Sequence, residues 1–323
     1  MLTARFAGTI GGWTEPRCTS IMRRRFFLVV NTGAGLSRPW LVDEVTAALE
    51  RSGASVARET LGDFHEIRRL VGAAARSLRY DVVVAAGGDG TIRAAAAGIS
   101  GTDVPLAIIP CGTANVLAQE IGLKATPKLV CHMLRNGPQL PVSYGRANGE
   151  PFLLMAGAGF DARVVGGLNH TLKGRIGKAA YTGPVLGALL RPLDTLSVTI
   201  DKRSYDATWV VIANARHYAG RLVLAPRTGI HQRGLEAVLF TARSRAVLLA
   251  QLLSLLRGRL HARAGPHGDV AMFQCSHVKI SAPGPVPVQI DGDPFGVTPL
   301  EARAGTDAIH LIVPASTLTA NLL

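Results

Sequence analysis

DVVVAAGGDGTIRAAAAGI, residues 81–99, is the stretch whose reading decides the fold. Residues 82–86 are β-branched or small and apolar, with no polar alternate, the pattern of a strand buried on both faces. Gly87-Gly88-Asp89-Gly90 interrupts it, and residues 91–99 read as an alanine-rich helix. A strand that turns through glycines directly into a helix is half of a βα unit, and the flanking sequence repeats the pattern. Residues 26–30 (FFLVV) form an apolar strand that ends in Asn31-Thr32-Gly33-Ala34-Gly35. Val42, Val45, Ala48 and Leu49 then recur at helical spacing. Residues 56–59 predict a short strand; Ile67, Leu70, Val71 and Ala74 predict a helix; residues 106–109 predict another buried strand. This alternation predicts an α/β domain with a parallel sheet covered by helices.

After about residue 140 the texture changes. Short apolar or alternating runs at 152–155, 196–200, 208–213, 236–240, 277–281, 286–290 and 308–313 are separated by turn residues. They predict a mostly antiparallel β domain, interrupted by helical patches at 174–190 and 245–257.

The composition narrows the partners. The 323 residues carry 35 Lys+Arg against 22 Asp+Glu, a net charge of +13, with 48% hydrophobic residues and a mean hydropathy of +0.25. General disorder is excluded, and no run of about 18 uncharged apolar residues predicts a membrane span. The basic excess suits nucleic acid or an anionic membrane. Aromatics at 5%, not interleaved with basic residues, argue against nucleic acid. Residues 173–263 carry net +11 and hold the leucine-rich run 247–260 flanked by Arg243, Arg245, Arg257, Arg259 and Arg263. That run reads either as an ordinary core helix or as a segment lying on an anionic bilayer. Cys18, Cys111, Cys131 and Cys275 have no C-x-x-C spacing, which predicts neither zinc nor a disulfide framework and fits a reducing cytosol. The histidines, His217 and His267 among them, form no metal-binding pattern. Met22-Arg23-Arg24-Arg25 before five apolar residues is too short for a secretion signal. Residues 1–22 are expected to be a loose extension, with Met22 a second candidate start that an intact mass would test.

Gly87, Gly88, Asp89, Gly90 and Thr91 sit where backbone N–H groups at a helix start attract a phosphate. Asp89 could reach a phosphate-bound Mg²⁺ through water, and Thr91 could donate its hydroxyl; alternatively the loop is a plain βα turn with a threonine cap. It is neither a Walker A loop nor a G-x-G-x-x-G fingerprint. A second loop, Pro110-Cys111-Gly112-Thr113-Ala114-Asn115, follows the next strand and also opens a helix. With Asn31, Gly33 and Gly35 at the same sheet edge, three loops converge where parallel sheets bind ligands, which favours a nucleotide site.

GGDGT at 87–91, P-x-G-T-x-N at 110–115 and N-x-x-x-G at 31–35, in this order, resemble the diacylglycerol kinase catalytic-domain family, which includes bacterial diacylglycerol kinases and the sphingosine and ceramide kinases. The likeness continues through residues 152–162 and 173–181 to Asp291-Gly292-Asp293, where the family has Asp-Gly-Glu. The resemblance implies an α/β ATP-binding domain over 23–140, joined again by the segment 310–323, and a β-sandwich lipid-substrate domain over 141–309. It implies a lipid kinase using ATP and Mg²⁺ from the cytoplasm, peripheral at the inner membrane face. The acceptor would be the hydroxyl of diacylglycerol, ceramide or a sphingoid base. Asn31, Gly33, Gly35, the loop 87–91, Gly112, Thr113 and Asn115 would cradle the nucleotide, with Thr60 a weaker contact. Asp291 matches the family's general base, and Asp89 is the second catalytic candidate. Read without the family, Asp291-Gly292 is a hairpin turn between strands at 286–290 and 295–302.

The chain departs from the family pattern at several positions. Asn31-Thr32 stands for Asn-Pro, Arg93-Ala94 for Asn-Glu after GGDGT, Val116 for an Asp, Ser143 for an acidic residue, and Gln232-Arg233-Gly234 for Asp-Asp-Gly. The thinned carboxylate set points to a divergent subgroup and leaves the metal ligands unassigned. Two other readings stay open: a soluble GGDGT-loop kinase of the NAD kinase type, and a lipid- or nucleotide-binding protein that has lost catalysis.

Overall fold

In the computed structural model, residues 22–31, 38–168, 180–265 and 268–320 are described. Strands β1 (Arg25–Asn31), β3 (Val82–Gly87) and β4 (Leu106–Pro110) are buried almost end to end and lie parallel, with Phe26 opposite Val82 and Val84 opposite Ala107. β2 (Ser55–Leu61) pairs with β1 at the sheet edge and is correspondingly more exposed. Apolar residues on both faces require cover on both faces. That cover includes α1 (Pro39–Arg51), α2 (Phe64–Arg76), α3 (Asp89–Ile99), α4 (Val116–Glu120) and α5 (Pro127–Asn136). Asp63 caps α2, its carboxylate accepting the Glu66 N–H at 2.9 Å. α2 and α3 pack closely because Gly98 has no side chain: a Cβ there would lie 2.6 Å from the Arg68 carbonyl oxygen.

The sheet continues past β4 into the second half of the chain. β18 (Leu300–Ile312) meets β4 in parallel at Leu311 and Leu106, and pairs antiparallel with β5 (Gln139–Ala147), which carries β6 (Glu150–Phe152). Beyond β18 come β15 (His277–Ser281), β8 (Leu196–Ile200) and β9 (Arg203–Ala207), making ten strands. A second, antiparallel sheet runs β14 (Val270–Cys275), β13 (Leu235–Phe240), β10 (Trp209–Ala213), β7 (Met155–Ala158), β16 (Pro287–Ile290), β17 (Asp293–Val297). The period of two divides β10 cleanly. Val210 and Ile212 join Leu196, Val198, Ile280 and Ile290 in the core between the sheets, whereas Trp209, Val211 and Ala213 face the other core. The fold is therefore α/β with a β-sandwich, as the resemblance implies, and the change of texture along the chain marks where antiparallel pairing takes over.

Four further helices complete the described chain: α6 (Phe160–Gly166), α7 (Thr182–Leu190), α8 (Arg245–Leu256) and α9 (Ala315–Ala320), with a short hairpin of β11 (His217–Tyr218) and β12 (Leu222–Val223). Two expectations are corrected. The run 152–155 is not one strand: the chain bends at Leu153-Leu154, whose N–H groups go to the Asp291 carboxylate instead of a ladder. The run 295–302 divides at Val297, because β17 stays in the second sheet and β18 starts at Leu300 in the first. Of the patch 174–190, the described residues hold an α-helix over Thr182–Leu190, and residues 174–179 lie outside the described residues. The basic segment 173–178, His267, and Gly33 and Gly35 lie outside the described residues.

Candidate active site

The carboxyl ends of β3 and β4 carry the two glycine loops, and they touch backbone to backbone. A Cβ on Gly112 would lie 2.5 Å from the Gly88 Cα, so only glycine permits this approach. Asp89 closes the contact: its two carboxylate oxygens accept the N–H groups of Val116 and Leu117 at 3.0 and 3.1 Å, capping α4 from the neighbouring loop. From the end of β1, Asn31 donates its side-chain N–H to the Thr91 hydroxyl at 2.9 Å. Asn31, Gly87, Gly88, Asp89, Gly90, Thr91, Gly112 and Thr113 all line one cleft of about 770 Å³.

Two expected contacts lie elsewhere. Asn115, in the left-handed region at φ 46°, spends its amide on its own loop, accepting the Gly112 N–H at 2.8 Å and donating to the Gly112 carbonyl at 2.6 Å. Thr60 is exposed near the end of the edge strand, and the cleft wall there is made by Gly62 and Phe64.

Asp291 lines the same cleft. It occupies the turn between β16 and β17 with φ 50°, followed by Gly292 at φ 84°, the pair of left-handed residues that a two-residue hairpin requires. Its carboxylate accepts three backbone N–H groups, from Leu153, Leu154 and Met155, at 2.8–2.9 Å. A carboxylate has about four acceptor positions, so three N–H groups leave one over on a residue that lines the cleft. Burial pushes this carboxyl up to about 6, against the lowering effects of the Arg93 charge and the three N–H donors.

Several residues in and around the cleft were given no role by the motifs. Arg93, 8% exposed, reaches Asp293 across 200 positions of sequence at 3.1 Å, with its guanidinium carbon 4.6 Å from the Phe64 ring centroid. Asp161, fully buried, accepts the Gln289 side-chain N–H at 3.0 Å, and burial pushes its carboxyl up to about 7. Glu120 accepts from His217 at Nδ1 (2.6 Å) and from the backbone N–H groups of Arg216 and His217, which fastens the β11–β12 hairpin, with Tyr218 and Leu222, over the cleft.

Much of the cleft lining is apolar. Phe160, Val164, Val185, Leu222, Leu252 and Leu255 contribute to it. The leucine-rich run 247–260 is divided: Leu248 and Leu255 are buried, whereas Leu249, Leu253 and Leu256 are exposed on α8. Leu186 and Leu190 are exposed on α7, which packs against α8. No helix among the described residues is long and apolar enough to cross a membrane.

Positions 143 and 232, two of the departures, meet. Ser143 donates its hydroxyl to the Gln232 carbonyl at 2.5 Å, and its own carbonyl accepts from Asn214 at 2.9 Å. Among the described residues, no group of three or more His, Cys, Asp or Glu is placed to hold a metal ion.

Residues 25–147 match the diacylglycerol kinase catalytic domain, and residues 155–313 match the YegS C-terminal NAD kinase beta sandwich-like domain. The chain is 30% identical over 278 residues to a Mycobacterium tuberculosis protein named diacylglycerol kinase, covering 83% of this chain and 88% of that one. It is 30% identical over 256 residues to the "Probable lipid kinase YegS-like" of Pseudomonas putida, covering 77% of this chain and 82% of that one. The crystal structure of a diacylglycerol kinase from Bacillus anthracis shares the fold, with a TM-score of 0.71 at 19% identity, covering 91% of this chain and 98% of that one. With the glycine loops, the buried aspartate and an apolar wall in one cleft, the chain belongs to the diacylglycerol kinase catalytic-domain family and is a lipid kinase.

Proposed function

We propose that the protein transfers the γ-phosphate of ATP to the hydroxyl of a membrane lipid alcohol: diacylglycerol, ceramide or a sphingoid base. One observation carries this reading: the phosphate-type loops, Asp291 and the apolar side chains line a single continuous cleft. Nucleotide phosphates would rest on the backbone N–H groups at the start of α3, with Asn31, Thr91 and Thr113 at hand. The free acceptor position of Asp291 would take the lipid hydroxyl proton while the lipid oxygen forms its bond to the γ-phosphorus and the bond to the ADP oxygen breaks. A base held near 6 is mostly ionised at neutral pH and still basic enough to accept a proton.

The acidic groups of the cleft do not fit a resident metal. Asp89 serves two N–H donors, Asp291 serves three, and Asp293 serves Arg93. In this reading magnesium belongs to the nucleotide substrate, and the protein works peripherally at the inner membrane face, with the apolar edge of α7 and α8 against the lipid. A soluble kinase of the NAD kinase type draws support from the description of the second matched domain, and the apolar wall speaks against it.

Radiolabelled ATP offered with a panel of lipid alcohols in anionic vesicles, and with NAD in solution, tests the reading. Label is expected on a lipid; label on NAD alone, or on nothing while ATP binds, would overturn it. Asp291→Asn is expected to abolish transfer, a loss of at least about 100-fold for a general base, while ATP binding is retained.

A further inference from the structure

Arg93 and Asp293 both depart from the family pattern, one where Asn is usual and the other where Glu is usual, and the structure places the two departures in contact. Nη2 of Arg93 lies 3.1 Å from Oδ2 of Asp293, one methylene shorter than the usual Glu would be. Asp293 also borders the phosphate-type loop: a Cβ added to Gly90 would lie 2.6 Å from its Oδ2. The pair is thus wedged against the GGDGT loop, and Arg93 is close enough to Asp291 to lower its proton affinity. Both charges line the cleft. The Nε of Arg93 is buried and has no hydrogen-bond partner among the described residues. A guanidinium offers five donors, and burying one without an acceptor is costly. The ion pair takes Nη2 and the ring packs on the guanidinium face, while the side chain lines the cleft beside the loop, where its remaining donors can meet a bound anion.

We propose that Arg93 is a phosphate-binding residue of the transfer site, held in place by Asp293 and Phe64, and that it contacts the terminal phosphate of the bound nucleotide. It is a built-in cation in a cleft whose carboxylates are committed to other partners. This proposal rests on the ATP-dependent kinase reading above.

The test is calorimetric titration of the full chain with ATP and with ADP, each with magnesium. A charge-assisted hydrogen bond is worth about 1.5–3 kcal/mol, so Arg93→Gln is expected to weaken ATP binding about 10- to 100-fold while leaving ADP binding near the wild-type value. A wild-type ratio of ATP to ADP affinity in the variant would overturn the proposal, as would an equal loss for both nucleotides, the mark of a merely structural role. If Arg93→Gln does not fold, the charge-free pair Arg93→Met/Asp293→Asn keeps the packing on Phe64 without stranding a carboxylate, and the same selective loss is expected. Transfer of label by the wild-type protein is read separately: its absence defeats the kinase reading, whereas label transfer with an unchanged ratio defeats only the role of Arg93.

Discussion

At residue scale, Asp291 shows how one side chain can be both a hairpin turn and a candidate base. The left-handed backbone aims its carboxylate at the bend at Leu153-Leu154, where three N–H groups fix it. Because the base must be ionised, activity is expected to fall below an apparent pKa of about 6, read as the acid limb of kcat/KM. Asp161 carries a stability prediction. A carboxyl raised by burial favours the folded state only when protonated, so its contribution is present at low pH and is lost as pH rises from about 4 to about 7. Asp161→Asn should therefore be more stable than wild type at pH 8, by about 2 kcal/mol or more. The advantage should vanish near pH 4, as measured by urea unfolding. The GGDGT loop and Asp291 were legible as short motifs. The partners of Arg93 and Asp161 were not, because Asp293 and Gln289 lie more than a hundred residues away in sequence.

At the scale of elements, the two glycine loops act as one unit. Periodicity located both βα junctions, but the contact between Gly88 and Gly112 depends on β3 and β4 being neighbours. Gly112→Ala would drive a methyl into the Gly88 backbone. It is expected to weaken ATP binding at least about tenfold, with a loss of about 1–3 kcal/mol in stability from overpacking. Asp89→Ala would uncap α4 and leave two N–H groups without their acceptor. A loss of about 1–2 kcal/mol is expected, with both nucleotide affinities falling together, measured by thermal melting and calorimetry. That pattern differs from the ATP-selective loss expected for Arg93.

At the scale of the whole molecule, the net +11 of residues 173–263 and the exposed leucines of α7 and α8 belong to the same half of the chain. Exposed apolar side chains on two packed helices, with Arg243, Arg245, Arg257 and Arg259 around the ends of α8 in sequence, are the pattern expected of a surface that meets an anionic bilayer. Leu190→Glu/Leu249→Glu is expected to lower co-sedimentation with anionic vesicles at least about tenfold, since it removes apolar burial and adds like charge. Activity on a short-chain soluble acceptor should be unchanged, and undiminished vesicle binding would refute the assignment.

The β-sandwich and the candidate base were drawn from the resemblance to a family, whereas the sequence by itself determined the α/β half, the mostly antiparallel second half and the two phosphate-type loops. Each of these is written locally, in strand and helix periods and in glycine positions that only one backbone geometry satisfies. The tertiary structure alone decided that one ten-stranded sheet unites both halves of the chain, that Asn115 and Asp89 brace loops, and that Arg93 meets Asp293. Those outcomes depend on strand order and on which buried charges find each other. Burial energies set both across hundreds of residues, and no local pattern records them.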